Sequence, residues 1–183
     1  MKTYQPGDIR NIALIGHRGS GKTSVAEALL FAAGAIERMG SVDEGTTTTD
    51  FEPEEHARKM SIQAAVCFAE PDGCKVNIAD TPGYADFMPD VEACLSVVDA
   101  AVLVLDGVAG IEVHTEKVYR AAVERGVPVI AFVNKLDKEN AGFGSVVEAT
   151  SSRLDCKAVP LYLPIGKESS FGGVVDLLAR KAR

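Results

Sequence analysis

IRNIALIGHRGSGKTSVAEALLFA, residues 9–32, is the stretch of sequence that decides the fold. It begins with Ile9–Ile15, a short apolar run that stops at a glycine, which is typical of a buried β-strand. It ends with apolar residues at helical spacing from Val25 to Ala32, which predict a helix. Between them, Gly16–Thr23 fits the pattern G-x-x-x-x-G-K-[ST], and a strand before and a helix after are the context that this pattern requires.

The glycine-rich segment predicts a phosphate-binding loop. Its glycines let backbone N–H groups turn inward around a phosphate, and the following helix N-terminus adds a positive dipole. Lys22 can reach the outer phosphates of a nucleotide, and the Thr23 hydroxyl can ligate Mg²⁺. The alternative is a turn that merely closes the junction between strand and helix. The predicted nucleotide-binding residues of this loop are Gly16, His17, Arg18, Gly19, Ser20, Gly21, Lys22, Thr23 and Ser24.

Composition and charge narrow the class of protein. The chain has 183 residues, of which 46% are apolar, enough for one ordinary globular domain with a buried core. Nineteen Lys and Arg against 26 Asp and Glu give a net charge of −7, which argues against a DNA-binding surface. No uncharged stretch is longer than Met60–Ala69, so we expect no membrane span, and the N-terminus has no apolar signal region. A cytoplasmic protein is the expectation.

The rest of the chain alternates apolar runs with helical periodicity. Residues 62–69 and 75–79 flank a Pro-Asp-Gly turn and predict a hairpin, whereas 37–59 breaks the periodicity and predicts a long functional loop. Further strands are predicted at 100–105, 127–133 and 158–163, with helices around 88–98, 115–122 and 146–154. This alternation predicts an α/β fold, a mostly parallel sheet with helices on both faces. Such sheets bind ligands beyond the carboxyl ends of their strands.

Asp80-Thr81-Pro82-Gly83 follows the strand predicted at 75–79. An acid at a strand end, here Asp80, can hold Mg²⁺ through water. Gly83 can bring a backbone N–H close to a γ-phosphate. The alternative is a Pro-Gly turn with a capping aspartate. The phosphate-binding loop upstream favours the functional interpretation.

Asn134-Lys135-Leu136-Asp137 follows the strand predicted at 127–133. The Asp137 carboxylate can accept hydrogen bonds from the guanine N1–H and 2-amino group, a donor pair that adenine lacks. Asn134 can brace the neighbouring loops, and the Lys135 stem can cover a ring face. The alternative is a solvated charged turn. Behind a buried strand, and downstream of the two other motifs, the pattern favours guanine recognition.

The order of these motifs resembles the translational GTPases, and in particular the G domain of elongation factor G. Besides the motifs, Arg10–Ile12, Asp86-Phe87, Ala131–Asp137 and the segments Pro160–Gly166 and Gly173–Leu177 carry the resemblance over essentially the whole chain. Glu44–Asp50 and the tyrosine after Asp-Thr-Pro-Gly look most like the elongation factor G-like paralogues. The resemblance implies a P-loop NTPase fold, Mg²⁺ with GTP or GDP, slow intrinsic hydrolysis, and the ribosome as partner of the full-length protein.

Three positions depart from elongation factor G. Tyr84 stands where that family has a histidine that is thought to orient or activate water, and a phenol is a poor base at neutral pH. The chemical role of that histidine then needs another group or backbone positioning here, and Tyr84 is the candidate catalytic residue by its place in the motif. Gly19 replaces an aspartate of the family's P-loop. Ser61 aligns with the switch threonine, and its hydroxyl is a candidate Mg²⁺ ligand beside Thr23.

The guanine motif Ser-Ala-x is not found in the sequence. In elongation factor G it follows an inserted subdomain, so the resemblance implies an N-terminal fragment whose last G-domain helix is missing. Residues 1–157 are predicted to be the GTP-binding core. Residues 158–183 are predicted to hold the last strand and the start of the insertion. A sheet face without its helix predicts self-association of this fragment.

Other functions stay open at this point. Tyr84 suggests a GTP-gated ribosome-binding module with little or no hydrolysis. A P-loop kinase or ATPase is a further alternative, which residues 134–137 argue against, and so is a fragment that binds nothing well. Among the histidines, His17 is predicted to be a loop residue and not a base, and His56 and His114 are predicted at the surface.

Overall fold

The computed structural model describes residues 2–183. Those residues form two sheets and a set of α-helices, joined by loops and short 3₁₀ turns. The strands are β1 (Ile9–Ile15), β2 (Ala65–Ala69), β3 (Lys75–Asp80), β4 (Ala100–Asp106), β5 (Val129–Asn134), β6 (Tyr162–Ile165), β7 (Gly173–Asp176) and β8 (Lys181–Ala182). The helices are α1 (Lys22–Ala32), α2 (Pro53–Arg58), α3 (Met88–Leu95), α4 (Val113–Glu124) and α5 (Phe143–Arg153).

The larger sheet confirms the predicted α/β fold. Its strand order is β2-β3-β1-β4-β5, and all neighbours pair in parallel except the β2–β3 hairpin. β1 has the bounds predicted from its sequence and lies in the centre, with Ala13 opposite Ala79 of β3 and Ala101 of β4. The parallel register brings the carboxyl ends of β1, β3, β4 and β5 to the same edge, where the predicted motifs follow.

Helices cover the two faces of the sheet unequally. Ala13 and Ile15 of β1 point into a cluster with buried residues of α3, α4 and α5, whereas Leu14 points into a smaller cluster against α1. Alternate residues of β1 therefore face opposite layers, as the period of a strand requires. The β5 strand departs from the prediction of a fully buried strand, because Ile130 and Phe132 are exposed.

Two other expectations about the elements are corrected. The predicted loop 37–59 contains α2, which a reciprocal capping box between Glu52 and Glu55 starts and a left-handed Lys59 ends. The strand predicted at 158–163 begins only at Tyr162. It pairs antiparallel with β7 in a separate three-stranded sheet, β6-β7-β8, and not with the large sheet. No helix among residues 2–183 is long and apolar enough to cross a membrane.

Candidate functional site

The loop from β1 to α1 has the backbone that the glycine pattern predicts. Gly16, Gly19 and Gly21 all have positive φ, and Gly21 is the N-cap of α1. A Cβ at Gly16 would stand 2.5 Å from the Val104 carbonyl oxygen, and one at Gly21 would collide with the Asn134 side chain. The loop therefore has no room for side chains at these two positions, and it folds tightly over the end of β1.

Lys22 is the first residue of α1 and is buried in the loop. Its Nζ donates hydrogen bonds to the carbonyl oxygens of Gly16 and His17, both at 3.1 Å. Burial lowers the pKa of Lys22 to about 8, although the charges of Asp80 and Asp50 act in the opposite direction. At neutral pH the ammonium therefore still carries its charge, and it lies at the bottom of the glycine loop.

A cluster of hydroxyls and carboxylates lies beside Lys22. Thr23 Oγ1 is 3.1 Å from Ser61 Oγ, which donates to Asp50 at 2.7 Å. Thr49 donates to one oxygen of Asp80 at 2.9 Å, and the other oxygen is buried without a partner. Burial raises the pKa of Asp80 to about 6, while the nearby Thr23 hydroxyl and the hydrogen bond from Thr49 lower it.

The donor set of this cluster fits a magnesium ion. Mg²⁺ prefers oxygen ligands and keeps several waters, so it needs few protein ligands when it also binds phosphates. Thr23 and Ser61 offer hydroxyls for direct ligation, and the unpartnered oxygen of Asp80 suits a hydrogen bond from a metal-bound water. Residues 2–183 contain no group of three or more His, Cys, Asp or Glu side chains able to hold a metal by themselves.

Gly83 packs directly against the phosphate-binding loop. A Cβ there would lie 2.5 Å from Lys22 Nζ and 2.6 Å from Arg18 Cα. Only glycine permits this approach, which also places the next residue, Tyr84, beside the loop. The Arg18 guanidinium lies over the Tyr84 ring, 5.2 Å from the ring centroid.

The loop after β5 reaches back to the phosphate-binding loop. Asn134 Nδ2 donates to the Ser20 carbonyl at 2.9 Å, so the predicted bracing of the loops is present. Lys135, in the left-handed conformation, donates from Nζ to the Gly19 carbonyl at 2.6 Å and pairs with Asp106 at 2.7 Å. The lysine stem therefore lies along the phosphate-binding loop, and its contact with a ring face stays a prediction.

Asp137 differs from the other predicted residues in being solvent-exposed. Its carboxylate lies 3.8 Å from Lys138 Nζ, and both side chains are more than 60% exposed. Such a pair contributes little to stability, so the carboxylate is free to accept hydrogen bonds from a ligand.

A single cavity of about 490 Å³ joins most of these groups. Residues 42, 59 and 60 of the 37–61 segment close one side of it. The predicted residues that line it are Arg18, Gly19, Gly21, Lys22, Thr23, Ser24, Ser61, Gly83, Tyr84 and Lys135. The predicted residues outside its lining are Gly16, His17, Ser20, Asp80, Asn134 and Asp137. Tyr84 thus reaches the cavity, and the side chains of Asp80 and Asn134 support its wall from behind.

His114 lies beneath the phosphate-binding loop, and its predicted surface position is wrong, whereas His56 is exposed as predicted. Both ring nitrogens of His114 are buried without a hydrogen-bond partner among residues 2–183. Burial, reinforced by the charge of Lys22, lowers the pKa of His114 to about 4. His17 faces it with ring centroids 6.2 Å apart and places Nε2 3.2 Å from Glu112.

Two buried carboxylates that the sequence analysis missed organise the 37–61 segment. Glu27 accepts backbone N–H groups from Gly40 at 2.7 Å and Thr48 at 2.6 Å. Glu55 accepts four such groups, from Phe51, Glu52, Ile62 and Gln63. Glu27 lies on the buried face of α1, between Ala26 and Leu30, where a carboxylate needs polar partners, and only the structure shows that face.

Fold and site together define the class, a P-loop nucleotide-binding domain whose third motif is that of a GTPase. A family model described as the elongation factor Tu GTP binding domain matches residues 7–178. The chain therefore belongs to this family, as an elongation factor G-like translational GTPase domain.

Comparisons with individual proteins agree with the family assignment. The chain is 46% identical over 173 residues to mitochondrial ribosome-releasing factor 2 of Yarrowia lipolytica, covering 93% of this chain and 22% of that protein. It is 44% identical to elongation factor G of Thermotoga neapolitana, covering 95% and 25%. A crystal structure of a protein from Thermus thermophilus superposes with a TM-score of 0.89 at 38% identity, covering 95% and 26%. The chain thus spans about a quarter of these relatives.

Proposed function

We propose that the chain binds Mg²⁺·GTP and hydrolyses GTP slowly, and that hydrolysis becomes fast only when the complete protein engages the ribosome. The observation that carries this proposal is the convergence of three strand-end loops on one cavity. Lys22 lies at its floor, Thr23 and Ser61 lie 3.1 Å apart at its side, and Lys135 closes its far end.

Different residues bind the charged phosphates and the base of the nucleotide. The glycine loop and Lys22 hold the phosphates, and Gly83 offers a backbone N–H toward the γ-phosphate. Thr23 and Ser61 would hold Mg²⁺, with Asp80 accepting a hydrogen bond from a metal-bound water, and the ion would supply positive charge to the phosphates. Asp137 and the Lys135 stem take the guanine base.

The larger context is part of the same proposal. The names of the relatives, elongation factor G and ribosome-releasing factor 2, support the ribosome as partner of the complete protein. The proposed location is therefore a compartment that contains ribosomes. Residues 1–157 form the GTP-binding core, and 158–183 begin the inserted subdomain. The separate β6-β7-β8 sheet supports that boundary. The Glu168 N–H donates to the Leu136 carbonyl at 3.0 Å, which ties this sheet to the base-binding loop.

The test has a binding arm and a hydrolysis arm. Titration with fluorescent GTP, GDP and ATP, each with and without Mg²⁺, is expected to show guanine-specific, Mg²⁺-strengthened binding. Equal affinity for ATP and GTP contradicts the proposal and favours an ATPase or kinase. Single-turnover hydrolysis by the longer protein, with and without ribosomes, then separates a ribosome-stimulated GTPase from a GTP-gated binding module, in which ribosomes leave the rate unchanged.

A further inference from the structure

Arg18 combines a fixed backbone with an exposed side chain. Its backbone packs against Gly83, where an added Cβ would stand 2.7 Å from Arg18 N. Its guanidinium lies over the Tyr84 ring, and Nη1 is 3.5 Å from the Tyr84 hydroxyl. A planar cation that lies over a ring loses less freedom when it binds a ligand than an unrestrained one, because the ring already restricts its orientation.

Arg18 also differs from the other cations of the cavity, because its guanidinium has neither an acidic partner nor a backbone carbonyl acceptor among residues 2–183. Lys135 pairs with Asp106 at 2.7 Å, and Lys59 lies 3.9 Å from Asp43. Lys22 donates to two backbone carbonyls. Among residues 2–183, no carboxylate lies within ion-pair distance of Arg18, whose donors are left for an anion at this end of the cavity.

The position of Arg18 in the cavity determines which phosphate of a nucleotide it can contact. Gly83 packs against both the Arg18 backbone and Lys22 Nζ, so the arginine is on the side of the cavity where the proposed function puts the γ-phosphate. The base-binding loop, with Lys135, reaches the P-loop from the other side, at Gly19. A nucleoside diphosphate lacks the γ-phosphate, so we expect it to leave the Gly83 side of the cavity free.

We propose that Arg18, held on the Tyr84 ring, binds the γ-phosphate of GTP and makes this chain select GTP over GDP. This inference rests on the proposed function and deepens it. Tyr84 is then a positioning residue and acts through the arginine. It does not act as a base.

The same contact bears on hydrolysis. In that step the water oxygen bonds to the γ-phosphorus while the bond to the β–γ bridging oxygen breaks. GDP keeps the electron pair, and the water proton passes to the phosphate or to solvent. Arg18 transfers no proton. Its fixed charge stabilises the negative charge on the γ-phosphate oxygens, which is the role of an arginine supplied within the same chain.

The experiment compares dissociation constants for GTP, a non-hydrolysable GTP analogue and GDP. Arg18→Ala is expected to weaken GTP and its analogue by about tenfold, the loss of a charge-assisted hydrogen bond, with GDP unchanged within about twofold. The GTP affinity of Arg18→Lys is expected to lie between those of the parent and of Arg18→Ala, because a lysine keeps the charge but lacks the planar fork of guanidinium donors. Tyr84→Ala is expected to lower selectivity more than Tyr84→Phe, which keeps the ring. Arg120→Ala, an exposed arginine on α4, is the matched control.

The outcomes separate this inference from the function on which it rests. If Arg18→Ala weakens GTP and GDP equally, or neither, the inference is wrong while the GTPase assignment stands. If Tyr84→Ala has the same ratio of GTP to GDP affinity as the parent, the Tyr84 ring does not position Arg18, and that part of the proposal is wrong. Failure of the parent to bind GDP or GTP overturns the proposed function itself and the inference with it. Circular dichroism checks that each variant is folded.

Discussion

The two ends of the candidate nucleotide site are built differently. At the phosphate end, Lys22, Thr23 and Asp80 are all less than 10% exposed. Hydrogen bonds with Ser61 and Thr49 join Thr23 and Asp80 to the 37–61 segment. At the base end, Asp137 is exposed, and its nearest charged partner is an exposed lysine. One end is assembled inside the protein, whereas the other is a loop on the edge strand of the sheet.

This difference teaches where the site depends on the chain around it. The phosphate end lies on central β1 and β3, whose neighbours on both sides are present. The base end follows β5, which pairs only with β4 among the described residues. We therefore expect substitutions at the phosphate end to act on binding and local stability together. Substitutions at the base end are expected to act on the affinity for the base and on specificity, with little effect on stability.

The largest effect is expected at Lys22. Lys22→Ala removes the ammonium at the floor of the phosphate-binding loop, so guanine nucleotide binding should fall below detection while the fold persists. Isothermal titration calorimetry measures the binding, and far-UV circular dichroism measures the fold. Lys157→Ala, an exposed lysine remote from the cavity, is the control. A folded Lys22→Ala variant that binds GTP as the parent does would make the P-loop assignment wrong.

Asp137→Asn tests the base end. We expect GTP binding to weaken by roughly 1–3 kcal/mol, because a charged acceptor of two guanine hydrogen bonds becomes partly a donor. Xanthosine triphosphate carries a carbonyl where guanine has its amino group, so it should regain affinity in the variant. Competition titrations measure both ratios. Glu139→Gln, an exposed carboxylate-to-amide change in the same loop, is the control.

The pH dependence of folding stability is a second property that distinguishes the buried phosphate end from the exposed base end. The pKa of His114 is lowered to about 4 in the fold, against about 6.5 in an unfolded chain, so the unfolded state binds more protons between these values. The stability that neutral His114 permits is complete above pH 6.5 and is lost as the pH falls toward 4. From pH 7 to pH 5 this loss amounts to about 2 kcal/mol.

The measurement is urea unfolding of the parent and of His114→Gln at pH 7 and pH 5. Asp80, whose pKa is raised to about 6, titrates in the opposite sense and stabilises the fold as the pH falls. Because Asp80 is present in both proteins, the difference between their pH dependences isolates the histidine. Equal pH dependence in the two proteins would show that His114 is not held neutral.

The sequence predicted those parts of the site that depend on local pattern. An apolar run bounded by glycine gave β1 its observed ends, and the carboxyl ends of parallel strands gave the positions of Asp80 and Asn134. What it missed depends on contacts between distant segments. Nothing in the local pattern shows that Glu27 holds the 37–61 segment, or that the phosphate-binding loop covers His114.

The same limit explains the errors about strands. A short apolar run such as 158–163 predicts a strand but carries no information about its partner, and here β6 pairs with β7. The apolar run of β5 predicts burial on both faces, yet burial depends on what packs against it. Val129 and Val133 pack against the cluster of α3, α4 and α5, whereas the opposite side of β5 is open.

The smallest effect in binding energy concerns this open side of β5. Ile130 and Phe132 are paired in register with Val102 and Val104 of β4, on the face that α1 covers, but they are 58% and 45% exposed. Adjacent exposed apolar side chains on an edge strand favour association between copies. We therefore predict that the 183-residue chain self-associates, and that the paired substitutions Ile130→Thr and Phe132→Thr reduce this.

A form of the protein that extends past Arg183, through the insertion to a Ser-Ala-x loop, is predicted to cover this face and to bind GTP more tightly. Such a loop offers one more backbone N–H to guanine, worth about 0.5–1.5 kcal/mol, and a firmer β5 raises the fraction of binding-competent molecules. Light scattering and calorimetry on the short form, the double variant and the extended form measure both effects.

If the double variant becomes monomeric without a gain in affinity while the extended form gains affinity, association and base binding are separate properties of β5. Equal affinity of the monodisperse short form and the extended form would show that the base end is already complete. The contrast between the two ends of the site would then lie in solvent exposure alone.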